Sequence, residues 1–307
     1  MSTMEKTLFG VAGFPPTFFE SEYKKDRLNI FAWLNSLSLN WVELQNTYGV
    51  KMKEEQAREY RKMALKYDVG ISIHAPYYIT LASGDKEVVK RSIERIFQCY
   101  WLADVIGASR IIFHPGFYSG KTDVDRKKGL EQLINALISI KEDIPNGIYL
   151  YAETAGKHSQ LGSLEEIVKI CNAVPYVRPC LDIAHIHGFC NGSITSIESV
   201  VRLMDYVEHE LGRTILEETH FHMYPVEIDK NGERRHRAFF EKQEFQQMNL
   251  FSNVDGWFYP RPEHFVSAIK QKGIFPIVVC EALNSQEQGA ILMKKLYEGT
   301  SIETASI

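Results

Sequence analysis

The stretch that decides the fold is "RIIFHPG", Arg110 to Gly116. Ile111, Ile112 and Phe113 make a run of the length of one buried strand, and Pro115-Gly116 ends it in a turn. His114 places an imidazole at the carboxyl end of that apolar run, and the same arrangement recurs along the chain. Outward from it, "ISIHAP" (71–76) carries His74, "IYLYAET" (148–154) carries Glu153, and "RPCLDIAH" (178–185) carries Asp182 and His185. "THFHMY" (219–224) holds His220 and His222, and "FPIVVCEA" (275–282) holds Glu281. "LFGVAGF" (8–14) and "WVELQN" (41–46) complete the set of strand-like runs. Helical patterns lie between them, such as "KEEQAREYRKMALKY", "VVKRSIERIFQCYWLADVIG" and "SVVRLMDYVEHELG". "SLEE", Ser163 to Glu166, reads as a capping box that opens the helix after the fifth strand.

Eight strands alternating with helices over roughly 250 residues or more predict an α/β chain folded as a (β/α)₈ barrel, with residues 1–307 as one domain. A doubly wound open sheet is the rival, but neither GxGxxG nor GxxxxGK[ST] is present. A hydrophobic content of 45% and a charged content of 24% suit a water-soluble domain with a large core. The apolar runs reach strand length only, and the N-terminus lacks a signal-peptide pattern, so no membrane segment is expected. Five widely spaced cysteines without CxxC favour reduced thiols and a cytoplasmic chain, read here as a monomer. The net charge of −4 gives no global attraction to a polyanion, so a nucleic-acid partner would need a local basic surface.

In such barrels the site forms at the carboxyl ends of the strands. The third to eighth strands each bring a histidine, aspartate or glutamate to that end, each after an apolar run that would bury it. Buried charge is costly unless paired or coordinated. One such residue reads best as a satisfied core side chain; six strands converging on one mouth read as a metal centre. Mixed imidazole and carboxylate donors suit zinc, manganese or iron(II), and this many donors imply more than one ion. Trp41 and Trp101 read as core residues of a strand and a helix. Tyr118, Trp257, Phe258 and Tyr259 read as lining a groove or packing on the barrel.

"ISIHAPYYITLAS", "FHPG", "ETAGKHSQLGSLEEI", "CLDIAH" and "CEA" resemble, in order, the motifs of endonuclease IV, the family of metal-dependent abasic-site nucleases within the xylose-isomerase-like barrels. The likeness runs from "FGVAGFP" to Glu281. It implies three zinc ions, with manganese possible, and hydrolysis of the phosphodiester beside an abasic deoxyribose in DNA. By that resemblance His74, His114 and Glu153 hold one ion, and Glu153 bridges to a second held by Asp182, His222 and Glu281. His185 and His236 hold a third, Tyr77 stands near the substrate phosphate, and Glu153 with Glu281 orients the attacking water. The loop after strand two, with Gln45 and Asn46, matches the family's DNA-contacting loop, although no arginine stands there. Arg234, Arg235 and Arg237, with Lys230, are candidate phosphate contacts.

"HFHMYPVEIDKNGERRH" (220–236) is where the pattern departs, reading as a strand followed by a charged loop. Where the family places an acid two residues before its third-site histidine, this chain has Arg234; the ending "GERRH" resembles the "GERKH" of a divergent branch. Glu227, Asp229 and Glu233 are the acids within reach, and which of them fills the place decides between two ions and three. The alternative function is a sugar isomerase or epimerase of the same superfamily, with one or two divalent ions and a small-sugar substrate. A barrel that binds a partner without catalysis is a third reading.

Overall fold

The computed structural model describes residues 6–243 and 255–300. The strands are β1 (Leu8–Ala12), β2 (Trp41–Gln45), β3 (Gly70–His74), β4 (Arg110–Phe113) and β5 (Tyr149–Glu153). They continue as β6 (Val177–Asp182), β7 (His220–His222), β8 (Val226–Asp229), β9 (Gly232–His236) and β10 (Ile277–Cys280). Eight of them close a barrel in the order β1-β10-β7-β6-β5-β4-β3-β2, and β8 and β9 form a separate hairpin. Every neighbouring pair in the barrel is parallel, as chain reversal through intervening helices requires. Each of the eight runs read from the sequence overlaps one barrel strand, although the sixth strand stops at Asp182 and Ile183–Phe189 is a helix.

The period of two along each strand sorts side chains between helix layer and barrel interior. On β4, Ile111 and Phe113 join the main core, while Ile112 packs in a small interior cluster with Tyr151 and Cys180. Trp41, Ile277 and Val279 pack in a second interior cluster, while Val42, Leu44 and Val278 join the main core. Phe221 of β7 is fully buried against Phe265 of the helix Pro262–Lys272, which covers this part of the barrel from outside. Each such fully buried large apolar side chain contributes about 1.5–3 kcal/mol.

The helices start and stop where their ends dictate. Ser163 Oγ accepts from the Glu166 N–H at 3.3 Å, and the Glu166 carboxylate accepts from the Ser163 N–H at 3.0 Å, forming the expected capping box. Glu166 is also clamped by Arg126 through two bonds of 2.6 and 2.7 Å, tying this helix to the preceding one.

Two sequence expectations are corrected. Trp41 is buried, but Trp101 is 41% exposed on the outer face of the helix Lys86–Ile106, so it is no core residue. The segment after β7 is an antiparallel hairpin and not a charged loop. Asn231-Gly232 between alternating apolar and charged residues is a hairpin signal, and the Asp229 side chain accepts from the Asn231 N–H at 2.7 Å to fix the turn.

Candidate metal centre

The inward alternation that buries Trp41 brings Glu43 and Gln45 to the interior of β2, and likewise Ser72 and His74 of β3. Tyr151 and Glu153 of β5, Cys180 and Asp182 of β6, and His220 and His222 of β7 follow the same rule. The upper positions converge on the carboxyl ends of the strands, where three groups of donor atoms form; Glu43, His220 and His222 make a fourth group. Within each group the donor atoms lie within 4.8 Å of one another.

The first group is His74, His114 and Glu153. His74 Nε2 is 3.0 Å and His114 Nδ1 3.3 Å from Glu153 Oε2. The second is Glu153, Asp182 and His222. His222 Nδ1 lies 3.2 Å from Glu153 Oε1, 3.7 Å from Asp182 Oδ2 and 3.9 Å from Glu281 Oε1. Glu153 thus faces both groups with different oxygens. The third is His185, Glu233 and His236. Glu233 lies 2.8 Å from His185 Nε2 and 3.2 Å from His236 Nε2.

The third group answers the question that "GERRH" raised. Glu227 pairs with Arg234, Arg235 and Arg237, and Asp229 holds the hairpin turn, so Glu233 is the acid that meets the histidines. The cause is a β-bulge. Glu227 pairs with Arg235 but Ile228 with Glu233, so Arg234 is skipped in the register. In an unbroken strand, residues three apart point to opposite faces; the skipped residue lets Glu233 and His236 reach the same site. The hairpin sits close to the loop after β5, where the Glu233 N–H donates to the Gly156 carbonyl at 2.8 Å. A Cβ at Gly156 would collide with the Glu233 carboxylate and the His185 ring, which explains the glycine of "ETAG".

Backbone carbonyls fix three of these imidazoles. Nδ1 of His74 is 2.9 Å from the Ala75 carbonyl, that of His185 2.8 Å from Thr154, and that of His236 2.9 Å from Glu281. A carbonyl only accepts, so each Nδ1 carries the proton in the neutral ring and each Nε2 presents its lone pair to a carboxylate. That is the tautomer a metal ligand needs. The chemistry of the donors therefore fits divalent ions. Close imidazole–carboxylate approaches without alignment of the ring N–H, as between His114 and Glu153 or His185 and Glu233, fit donors aimed at a common point.

Electrostatics adds to this. Burial opposes the charge on Glu153, but His114 and His222 outweigh it and hold the carboxyl well below its usual range. Burial likewise opposes the charge on His74, yet Glu153 raises it to about 9; for His114 burial wins and lowers it to about 4. Glu281 is raised, chiefly by burial, despite nearby His222 and His236.

The remaining sequence-derived residues separate. Tyr77 is 62% exposed and stacks on the His114 ring at 5.4 Å with planes 8° apart. The Gln45 amide is held between Glu43 and Glu281, 3.3 Å from each, so it serves the interior. The Asn46 amide donates to the carbonyls of Leu44 and His74, holding the strand end. Arg234 and Arg235 are largely exposed, whereas Arg237 is buried under Phe258 and paired with Glu227 and Glu241. Arg237 is therefore a packing residue and not a surface phosphate contact. Phe258 is buried, and Tyr259 stacks on His187.

Two site residues escaped the sequence reading. Tyr224, buried two residues beyond His222, donates to Asp182 Oδ2 at 3.0 Å and stacks on His236 at 4.1 Å. Glu43 is buried in β2 with His220 and His222 each 3.1 Å away. The signal for Glu43 was available, since a lone acid inside "WVELQ" needs a partner.

A closed parallel barrel with histidines and carboxylates gathered at its C-terminal mouth defines a class of α/β barrel. The chain belongs to the xylose isomerase-like TIM barrel family, whose model matches residues 31–296. An uncharacterized protein of Methanocaldococcus jannaschii is 29% identical over 287 residues, covering 94% of this chain and 96% of that protein. A probable endonuclease 4 of Mesomycoplasma hyopneumoniae is 36% identical over 152 residues, covering 46% of this chain and 51% of that protein, so the match spans about half of each. Among solved structures, endonuclease IV from Thermus thermophilus superposes with a TM-score of 0.61 at 14% identity, covering 96% of this chain and 100% of that one. A D-tagatose 3-epimerase-like protein superposes with a TM-score of 0.65 at 15% identity, covering 95% and 97%. At these identities the superpositions speak for the fold alone. Among the described residues no helix is long and apolar enough to cross a membrane.

Proposed function

We propose that this protein is a metal-dependent phosphodiesterase that cleaves DNA at abasic or damaged sites, with zinc the expected ion and manganese an admissible substitute. The observation that carries this reading is the third donor group, His185, Glu233 and His236, built by a dedicated hairpin beside the first two. A sugar isomerase or epimerase needs one or two ions, whereas spreading charge over a phosphoryl group in transfer benefits from a further cation. The partial likeness to proteins named probable endonuclease 4 supports the same direction.

In this proposal His74, His114 and Glu153 hold the first ion, and Glu153, Asp182, His222 and Glu281 the second. His185, Glu233 and His236 hold the third. Bound divalent ions would lower the pKa of water and offset charge growing on the phosphate oxygens. Glu153 stands between two donor groups and fixes their separation. Glu281, held through Oε1 by the Gln45 amide, helps orient the attacking water. Tyr77, exposed on the His114 ring, offers an aromatic face and a hydroxyl to the sugar-phosphate. Arg234 and Arg235 supply positive charge on the outer edge of the hairpin, although both share Glu227.

The test is a duplex oligonucleotide carrying one abasic site, incubated with zinc-loaded protein. Nicking beside the abasic site, absent from Glu153→Gln, is the expected result. No nicking with zinc or manganese, together with turnover of a ketose sugar, would replace this reading by the epimerase one.

A further inference from the structure

The five imidazoles of the three donor groups are not oriented alike, and His222, like His114, turns Nδ1 to a carboxylate. His74, His185 and His236 anchor Nδ1 on a backbone carbonyl and turn Nε2 to the carboxylates. His222 turns Nδ1 to Glu153, Asp182 and Glu281. Its Nε2 points down the barrel, where strand carbonyls lie in the sheet and bond along the ladder, with β7 paired on both sides by β6 and β10. A side chain must therefore face that nitrogen, and Glu43 Oε1 is 3.1 Å away; the buried Cys180 thiol is a further neighbour of the His222 ring.

Glu43 is itself held in place. Ser72 Oγ donates to Oε2 at 2.9 Å, Trp41 Nε1 donates to Ser72 Oγ at 3.0 Å, and the Gln45 amide donates to Oε1 at 3.3 Å. His220 Nε2 lies 3.1 Å from Oε2. Carboxylate and both histidines are wholly buried, and the ring N–H directions are out of line with the oxygens. A carboxylate left this deep without a partner would be strongly destabilising, so the arrangement needs a reason.

We propose that Glu43 is a positioning residue for His222: its buried negative charge, 3.1 Å from Nε2, keeps the proton on that nitrogen and leaves the Nδ1 lone pair facing the second donor group. It would do for His222 what backbone carbonyls do for His74, His185 and His236. The Gln45 amide, bonded to both Glu43 and Glu281, couples the same carboxylate to a second residue of that group. The inference rests on the metal reading proposed above. Its competitor is that Glu43, His220 and His222, whose donor atoms also lie within 4.8 Å of one another, hold a fourth ion directly.

Zinc titration of metal-stripped protein against a competing chelator, with elemental analysis at saturation, separates these cases. For Glu43→Gln we expect the wild-type number of ions at saturation, with one ion weakened about 10–100-fold and the others unmoved. Nitrogen NMR of the histidines should show His222 as a single tautomer in wild type and a mixture in the variant. Ser72→Ala keeps the carboxylate and removes one of its donors; it should show the same change at smaller size, and it serves if Glu43→Gln does not fold. Unchanged affinity and tautomer in both variants would overturn the proposal. Loss of one whole ion in Glu43→Gln would assign Glu43 as a ligand and overturn it as well. Absence of tight zinc binding by the wild type would instead remove the metal reading, and this inference with it.

Discussion

The two ends of the barrel interior both carry charge, and they handle it in opposite ways. At the amino-terminal end, Arg178 Nε donates to Glu218 Oε2 at 2.5 Å, and Arg110 donates to the Glu218 carbonyl at 2.9 Å. The two guanidiniums lie over the rings of Tyr149 and Tyr151 at 4.4 and 4.7 Å. There the cations are permanent, the carboxylate faces Arg178 and a backbone carbonyl faces Arg110, and aromatic faces cover the charge. At the carboxyl end, carboxylates face imidazoles, and close approaches such as His114–Glu153 and His185–Glu233 are not aligned hydrogen bonds. One end is satisfied by the chain alone; the other gathers donor groups that could hold metal ions.

If that contrast holds, changes at the two ends should move different observables. The largest effect is expected at Glu153, which serves two donor groups: Glu153→Gln should lower abasic-site nicking about a thousandfold or more, measured at saturating zinc. Next comes Glu233→Gln, which should remove one ion while leaving the other two, and slow nicking about 10–100-fold; loss of all the ions together would mean that the groups are not separable. At the opposite end, Glu218→Ala should lower unfolding free energy by about 1–3 kcal/mol in urea with metal content unchanged. A drop in bound metal there would break the contrast. The smallest effect belongs to Arg234→Ala, an exposed residue, which should weaken DNA binding only a few-fold and make it less salt-dependent, with no change in stability beyond about 0.5 kcal/mol.

How much of this was legible in the sequence follows from where each residue stands. His74, His114, Glu153, Asp182 and Glu281 lie at or just beyond the ends of apolar runs, so strand periodicity and the barrel rule together brought them to one mouth. His185 reads from the sequence as the end of the sixth strand. That strand stops at Asp182, however, and His185 lies in the first turn of the helix Ile183–Phe189, which Asp182 caps by accepting from the His185 N–H at 2.7 Å. Glu233 was only one of three candidate acids, since a skipped residue in a hairpin register leaves no mark that spacing alone can read. Glu43 lay inside an apolar run and lacked the position that marked the others. Gln45 and Asn46 were legible as residues of the right loop, but their amides are engaged by the barrel itself, a matter of side-chain direction.

The most direct test of the central claim is the metal content of the purified, zinc-reloaded protein, counted per chain beside Glu233→Gln. Three donor groups predict three ions in the wild type and two in the variant. One ion or none in the wild type, or equal counts in the two proteins, would contradict it.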